Sequence, residues 1–365
     1  MPAAGNESVT LEFVEDVKQE KAVKPKKAHR PEPKAKPELA PWVVAGKATS
    51  KGSVAKTIQW WFYMTFKLYN YEWITPPSMY GNIAAETRDN EQFVSDHSRV
   101  SYVTSVASSG YETTKTTVID ILGAYTNNVL KCNAGLLGLY IDGDRTVSRF
   151  HKQEGAILSA TTLIRFLKEG SKFTAKQLVS YTDSDDESKL VLYKAKAEND
   201  RVTRDLSRED TSMLVRYMVH IHPVLHCDSG PGLNSMATEG ILEASDIVMI
   251  PQKSISTEAT DDVRKVIMHP QYNLETRIDR VIVVISGVTR RQLNTRTQDA
   301  VAKRCGVAFE NVILIPYDRY LDAHRSVNLR RVSIPALKPK TRLMYSRLLK
   351  QHIVIAPTRK RAPNP

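Results

Sequence analysis

Three short stretches of this chain hold side chains suited to a phosphorylated ligand and a divalent cation. The first is Ser109-Gly110-Tyr111-Glu112-Thr113-Thr114-Lys115-Thr116-Thr117. A phosphate-binding loop needs a lysine for the terminal phosphates, a neighbouring hydroxyl for Mg²⁺, and backbone N–H groups gathered at a helix N-terminus. Lys115 and Thr116 supply the two side chains, and a threonine-rich helix cap is the plainer alternative. The second stretch is Asp142-Gly143-Asp144, where carboxylates two residues apart after a strand can face one crevice. One can reach a metal ion through water while the other orients an attacking water. Such pairs are also common in turns. The third is His226-Cys227-Asp228-Ser229-Gly230-Pro231-Gly232. An Asp closing a strand can hold Mg²⁺ through water, and a glycine a few residues later can offer its N–H to a terminal phosphate.

Two further sets of residues invite chemistry. His220, His222 and His226 share strand parity beside Cys227, which makes a zinc site conceivable. No Cys-x-x-Cys or His-Glu-x-x-His spacing supports it, and histidines on and around a core strand are the simpler reading. Cys227 has no legible base nearby and reads as a small buried residue.

These loops need elements to carry them, and from residue 98 onward the chain alternates strand and helix. Strands are expected at 100–107, 136–141, 189–193, 220–227, 246–251, 280–285 and 312–315. Helices are expected from 118 and over 155–168, 210–219, 236–244, 256–266 and 297–305. The alternation implies an α/β fold, a mostly parallel sheet with helices on both faces. In such sheets ligands sit at the carboxyl ends of the strands, where all three loops fall.

The 365 residues carry 52 Lys and Arg against 40 Asp and Glu, a net charge of +12. That balance favours a polyanionic neighbour, whether nucleic acid, anionic lipid or nucleotide. With 41% hydrophobic residues the chain can bury a sizeable core, so wholesale disorder is excluded. No apolar run reaches the roughly 18–20 residues of a membrane span. The first residues are acidic (Glu7, Glu12, Glu15, Asp16) and lack a basic-then-apolar start, so no secretory signal is expected. Three separated cysteines make no disulfide framework, in keeping with a reducing cytosol.

Four segments are expected. Residues 1–56 read as a basic Lys/Pro-rich arm without a core, either a solvated spacer or an electrostatic tether. Residues 57–97 open with crowded aromatics (Trp60, Trp61, Phe62, Phe66, Tyr69, Trp73), which suit either a membrane interface or a helix packed on the domain; Pro76-Pro77 is expected to end that run. Residues 98–355 form the α/β domain, and 356–365 a basic tail.

Taken in order, the three loops resemble the MinD/ParA family of P-loop ATPases, the deviant Walker A type. The Lys-Gly-Gly-x-Gly-Lys-Thr-Thr loop of that family corresponds to residues leading into Thr117, its Asp-x-Asp to Asp142–Asp144, and its Asp-Ser-Pro-x-Gly switch to Asp228–Gly232. The run Ala244-Ser245-Asp246-Ile247-Val248-Met249-Ile250-Pro251 and the loop Ile315-Pro316-Tyr317-Asp318 resemble two later family motifs. The arm and aromatic segment look most like actinobacterial members, some linked to type VII secretion or conjugative elements.

The resemblance implies a Rossmann-like P-loop fold that takes ATP and Mg²⁺. Gly110, Thr114, Lys115, Thr116 and Thr117 would line the phosphates, with Lys115 on the β/γ-phosphates and Thr116 on the metal. Asp144 would position the attacking water with Asp142 beside it. Asp228 would reach Mg²⁺ through water, Gly232 would sense the γ-phosphate, and Pro316 and Asp318 would pack on the base. It also implies a homodimer around two nucleotides, a cytoplasmic location, and binding to DNA, to the inner face of an anionic membrane or to a protein partner in partition, intracellular positioning, secretion or conjugation.

The chain departs from the family pattern at Gly110, where the dimer-crossing lysine would fall, at Tyr111–Thr114, where glycines would stand, and at Ser286, where an Asn near the base would stand. A Cβ at 114 is expected to crowd the phosphates, and Glu112 to repel them unless turned away. A non-hydrolysing scaffold and a basic adaptor for DNA or membrane therefore stay open beside the ATPase. Arg330, Arg331, Lys338, Lys340, Arg342 and Arg347 fit the adaptor reading.

Overall fold

The computed structural model describes residues 77–109, 114–139, 159–170, 191–193, 206–229, 235–321 and 334–357. The basic arm, the aromatic run to Trp73 and the tail beyond 357 lie outside them.

Seven strands form one all-parallel sheet: β1 (Tyr102–Val106), β2 (Gly135–Gly138), β3 (Val191–Tyr193), β4 (Val224–Asp228), β5 (Ile247–Gln252), β6 (Val281–Val288) and β7 (Val312–Pro316). Their order across the sheet is β3-β2-β4-β1-β5-β6-β7. β1 is central, with Val106 beside Asp228 of β4 on one flank and Met249 of β5 on the other. Chain excursions on its two sides run in opposite directions, which opens a crevice at its carboxyl end. β-branched runs such as Val281-Ile282-Val283-Val284-Ile285, apolar on both faces, suit a strand covered from both sides.

Eight helices of three or more turns or close to it cover the sheet among the described residues: α1 (Pro77–Asp96), α2 (Lys115–Leu130), α3 (Ala160–Lys168), α4 (Arg208–Val219), α5 (Met236–Ala244), α6 (Thr257–Ile267), α7 (Thr295–Cys305) and α8 (Pro339–Ile355). One face carries α1, α2 and α8 over Tyr102, Val106, Val224, Met249 and Val284. The opposite face carries α3–α5 over β1–β4 and α6–α7 over β5–β7. Burial of these two faces is the main stabilising term. Caps fix the ends locally. The Ser207, Ser256 and Asn294 side chains accept the N–H three residues on, at the starts of α4, α6 and α7.

Two of the departures from the sequence expectation have a local cause. Pro77, read as part of a helix stop, is instead the first residue of α1, where its missing N–H costs nothing. The strand expected at 220–227 begins only at Val224, because α4 ends through a turn that carries His220 to the surface.

Helix α1 is tied to α8 and α2 by polar contacts. Arg342 Nη2 donates to Glu91 Oε1 at 2.8 Å, and the Tyr125 hydroxyl donates to the same oxygen. Arg347 Nε donates to Glu86 Oε1 at 2.6 Å, and the Asn90 amide donates to Ser346 Oγ at 3.1 Å. Arg342 and Arg347, expected as open basic surface, are thus ion-paired to α1, Arg342 half-buried and Arg347 at the surface. Asp246 locks β5 to β1: its N–H donates to Val103 O at 3.0 Å and its Oδ2 accepts the Val103 N–H at 2.8 Å.

Candidate nucleotide and metal site

The carboxyl end of β1 leads through residues 107–113 into α2, and the first turn of that helix carries Lys115, Thr116 and Thr117. The helix starts three residues earlier than its apolar periodicity implies, so these side chains stand on regular backbone. The positive end of the helix dipole lies at this first turn, where an anion is favoured.

Thr116 Oγ1 donates to Asp228 Oδ2 at 2.6 Å, across 112 residues of sequence. Asp228 is the last residue of β4, next to β1, and is 2% exposed. A threonine hydroxyl and a carboxylate held this close are both hard oxygen ligands, of the kind that suits Mg²⁺. Ser229, the next residue, donates from Oγ to Val106 O at 2.6 Å and so staples the ends of β4 and β1 together. The Thr238 hydroxyl of α5 donates to Ser229 O at 3.2 Å and extends the brace.

Lys115 is 7% exposed at the base of this site. Burial lowers its pKa from the ordinary 10.5 to about 8, and the neighbouring Asp228 opposes the shift. An ammonium so poorly solvated is stabilised by an arriving phosphate, since little water must be displaced from it.

Thr114, just before α2, has φ 68° and ψ 9°, in the left-handed region. The other described residues with positive φ are glycine, asparagine or lysine, so Thr114 is the β-branched exception. The conformation costs about 1–2 kcal/mol for a residue with a Cβ. The backbone at residue 114 therefore takes a conformation that glycine adopts without cost, despite the side chain. Thr114 makes no capping bond to its own helix. Its Oγ1 instead sits 2.7 Å from Ser286 Oγ on β6, and Ser286 Oγ donates to Gln252 O of β5 at 3.2 Å.

At the far side of the crevice Pro316 closes β7 and Tyr317 stands 51% exposed. The Asp318 carboxylate accepts the Tyr320 N–H through Oδ1 at 3.0 Å and the Lys338 N–H through Oδ2 at 3.0 Å. It shapes the loop rather than projecting from it.

The structure thus brings together Thr114, Lys115, Thr116, Thr117 and Asp228, with Pro316 and Asp318 at the ends of neighbouring elements. Gly110, Asp142, Asp144 and Gly232 lie outside the described residues. Ser286 and Ser229 were not singled out as site residues by their spacing. Their sequence signals were indirect: Ser286 stands where the family pattern has an Asn, and Ser229 lies inside the Asp228–Gly232 motif.

The histidines do not form a metal site. His220 is exposed, His222 is buried with Nε2 2.7 Å from Tyr193 Oη and Nδ1 2.8 Å from Asn133 O, and His226 faces Thr126 Oγ1 at 3.2 Å. No group of three metal-ligating His, Cys, Asp or Glu occurs among the described residues. Cys227 is fully buried, and burial pushes its thiol pKa up, so it is no nucleophile at neutral pH. No helix among the described residues is long and apolar enough to cross a membrane.

No protein-family model and no curated protein matches this chain. Solved structures do. A ParA family ATPase from Chlorobium tepidum TLS superposes over 70% of this chain and 99% of its own length, with TM-score 0.52 and 14% identity. The septum site-determining protein MinD complexed with Mg-ADP from Pyrococcus horikoshii matches over 67% and 93%, with TM-score 0.51 and 11% identity. MinD in the MinC:MinD cell division complex of Aquifex aeolicus matches over 68% and 95%, with TM-score 0.50 and 14% identity. At these identities the likeness is one of architecture, and on that architecture the chain has the α/β P-loop fold of the ParA and MinD ATPases.

Proposed function

We propose that this chain binds ATP with Mg²⁺ at the carboxyl end of β1 and works as an ATPase in intracellular positioning or DNA partition. The observation that carries the reading is the 2.6 Å bond from Thr116 to Asp228, with Lys115 buried alongside. In this reading Lys115 neutralises the β- and γ-phosphates, and the helix N–H groups hold their oxygens. Thr116 and Asp228 would hold Mg²⁺, which when bound supplies positive charge against the phosphates. Thr117 would contact the α-phosphate and Gly232 the γ-phosphate. Asp144 would orient the attacking water, with Asp142 beside it. Pro316 and Asp318 would frame the base. The solved structures named above include one carrying Mg-ADP, which supports the ligand class.

A second reading, nucleotide binding without hydrolysis, draws on two specific observations. Thr114 places a branched side chain where close approach to the phosphates is needed, and Gly110 replaces the lysine expected to cross a dimer interface. The basic arm, with net charge +12 behind it, would then hold the protein on DNA or on the inner face of an anionic membrane while the folded domain recruits a protein partner.

The deciding experiment is titration of the full chain with a fluorescent ATP analogue and Mg²⁺, beside Lys115→Ala. Saturable binding lost in the variant supports the site, and phosphate release at saturating ATP separates the two readings. Absence of binding at millimolar nucleotide overturns both.

A further inference from the structure

We infer that Ser286 is a positioning residue for the phosphate loop: it holds Thr114 in the left-handed conformation that aims the start of α2 at the ligand. This rests on the nucleotide-site reading above. A left-handed residue just before a helix turns consecutive N–H groups toward one side and makes an anion-binding concavity. Glycine takes that shape without cost, whereas a threonine is held there only if its surroundings over-determine it. The surroundings here are specific. The Thr114 hydroxyl makes no bond to its own helix and is engaged by Ser286 Oγ at 2.7 Å. Ser286 is anchored in turn on Gln252 O at 3.2 Å, and all three residues are buried. The clasp runs sideways across the carboxyl ends of β5 and β6, 172 residues from Thr114 in sequence. It replaces backbone freedom with a side-chain latch, so residue 114 keeps the left-handed conformation without being a glycine.

The test is a double-substitution cycle in the full chain with Ser286→Ala, Ser286→Thr, Thr114→Gly and the pair Thr114→Gly/Ser286→Ala. Two quantities are read: the dissociation constant for Mg-ATP and the thermal midpoint without nucleotide. Ser286→Ala is expected to weaken Mg-ATP binding about fivefold, the size of one lost hydrogen bond. Ser286→Thr keeps the hydroxyl and is expected to retain wild-type affinity. Thr114→Gly is expected to bind at least as tightly as wild type, and Ser286→Ala to have no further effect on it. Equal weakening by Ser286→Ala in both backgrounds overturns the proposal, as does a lowered midpoint with unchanged affinity. If the wild type fails to bind Mg-ATP, the nucleotide-site reading falls, and the midpoints alone judge the clasp. Non-additive midpoints then support it, and additive ones overturn it.

Discussion

Thr116 and Asp228 meet at 2.6 Å although one opens α2 and the other closes β4. The contact exists because β4 lies directly beside β1, with Val106 and Asp228 in register, which sets the end of β4 next to the start of α2. Replacing either partner should remove the metal-dependent part of nucleotide binding. Asp228→Ala is expected to weaken Mg-ATP binding by about 10- to 100-fold, the range for a bond to a charged group, and to make the residual affinity insensitive to EDTA. Isothermal titration with and without Mg²⁺ reads this directly. An unchanged Mg²⁺ dependence would remove the metal assignment.

The Lys115 shift predicts a proton linkage. Its folded pKa, about 8, lies below the ordinary 10.5. Between those values the unfolded chain holds a proton that the native protein has lost, so stability rises with pH across the window. Phosphate restores the ammonium, so binding takes up a proton and affinity falls as pH climbs above about 8. Titrations at pH 8.5 in buffers of different ionisation enthalpy should show that uptake, and Lys115→Met should abolish it.

A separate acid-side effect comes from the core. His222, His226 and His352 are buried, and burial lowers their pKa values to about 4, 3 and 4. Their unfolded values lie near 6.5, so the unfolded chain binds more protons below that pH and stability is lost as pH falls from about 6.5 toward 3. At 1.36 kcal/mol per pKa unit that loss is at most about 3 kcal/mol each for His222 and His352 and about 5 kcal/mol for His226. His352→Leu, in contact with Tyr102 at 5.8 Å between rings, should shift the acid unfolding midpoint to lower pH by circular dichroism.

Gly240 on α5 packs directly against the start of α4. A Cβ there would lie 2.0 Å from Thr211 Oγ1 and 2.2 Å from the Arg208 carbonyl oxygen. Backbone cannot yield as a flexible side chain does, so the two helices must separate. Gly240→Ala should cost about 1–3 kcal/mol, seen as a lowered denaturation midpoint, and more if α4 detaches from the sheet.

Base discrimination should be weak. Ser286 spends its hydroxyl on Thr114 and Gln252, and Asp318 spends both carboxylate oxygens on backbone N–H groups. Tyr317 offers an exposed aromatic face, and stacking accepts any base. Mg-GTP is expected to compete with Mg-ATP within about tenfold, a gap of about 1.4 kcal/mol. A preference above a hundredfold would show that other groups read the base.

The parallel sheet was legible because its strands are short β-branched runs separated by amphipathic helices, as in Val281–Ile285 and Val312–Ile315. The Lys115-Thr116 pair and Asp228 stood out because each closes or opens such an element. Helix α1 was not legible: its inward residues Ile83, Phe93 and Val94 are few, and Pro77 reads as a stop as easily as a start. Helix α8 was hidden because Lys340, Arg342 and Arg347 read as open basic surface, while Leu343, Met344, Leu348 and Leu349 between them fill the core. The Thr114–Ser286 clasp joins positions that only the folded sheet brings together, so no local pattern could announce it. The left-handed turn at Thr114 went unforeseen for the same reason, since tertiary contacts override the preference of a threonine.

The union of α1 with α8 sets a schedule for synthesis. Asn90 and Ser346 are 256 positions apart, so the ribosome must add nearly the whole intervening chain before Asn90 meets its partner. At about 5–20 residues per second that interval is roughly 10–50 s. Throughout it the side of α1 and the part of the sheet that α8 covers stay exposed, an aggregation hazard that ends only when α8 emerges.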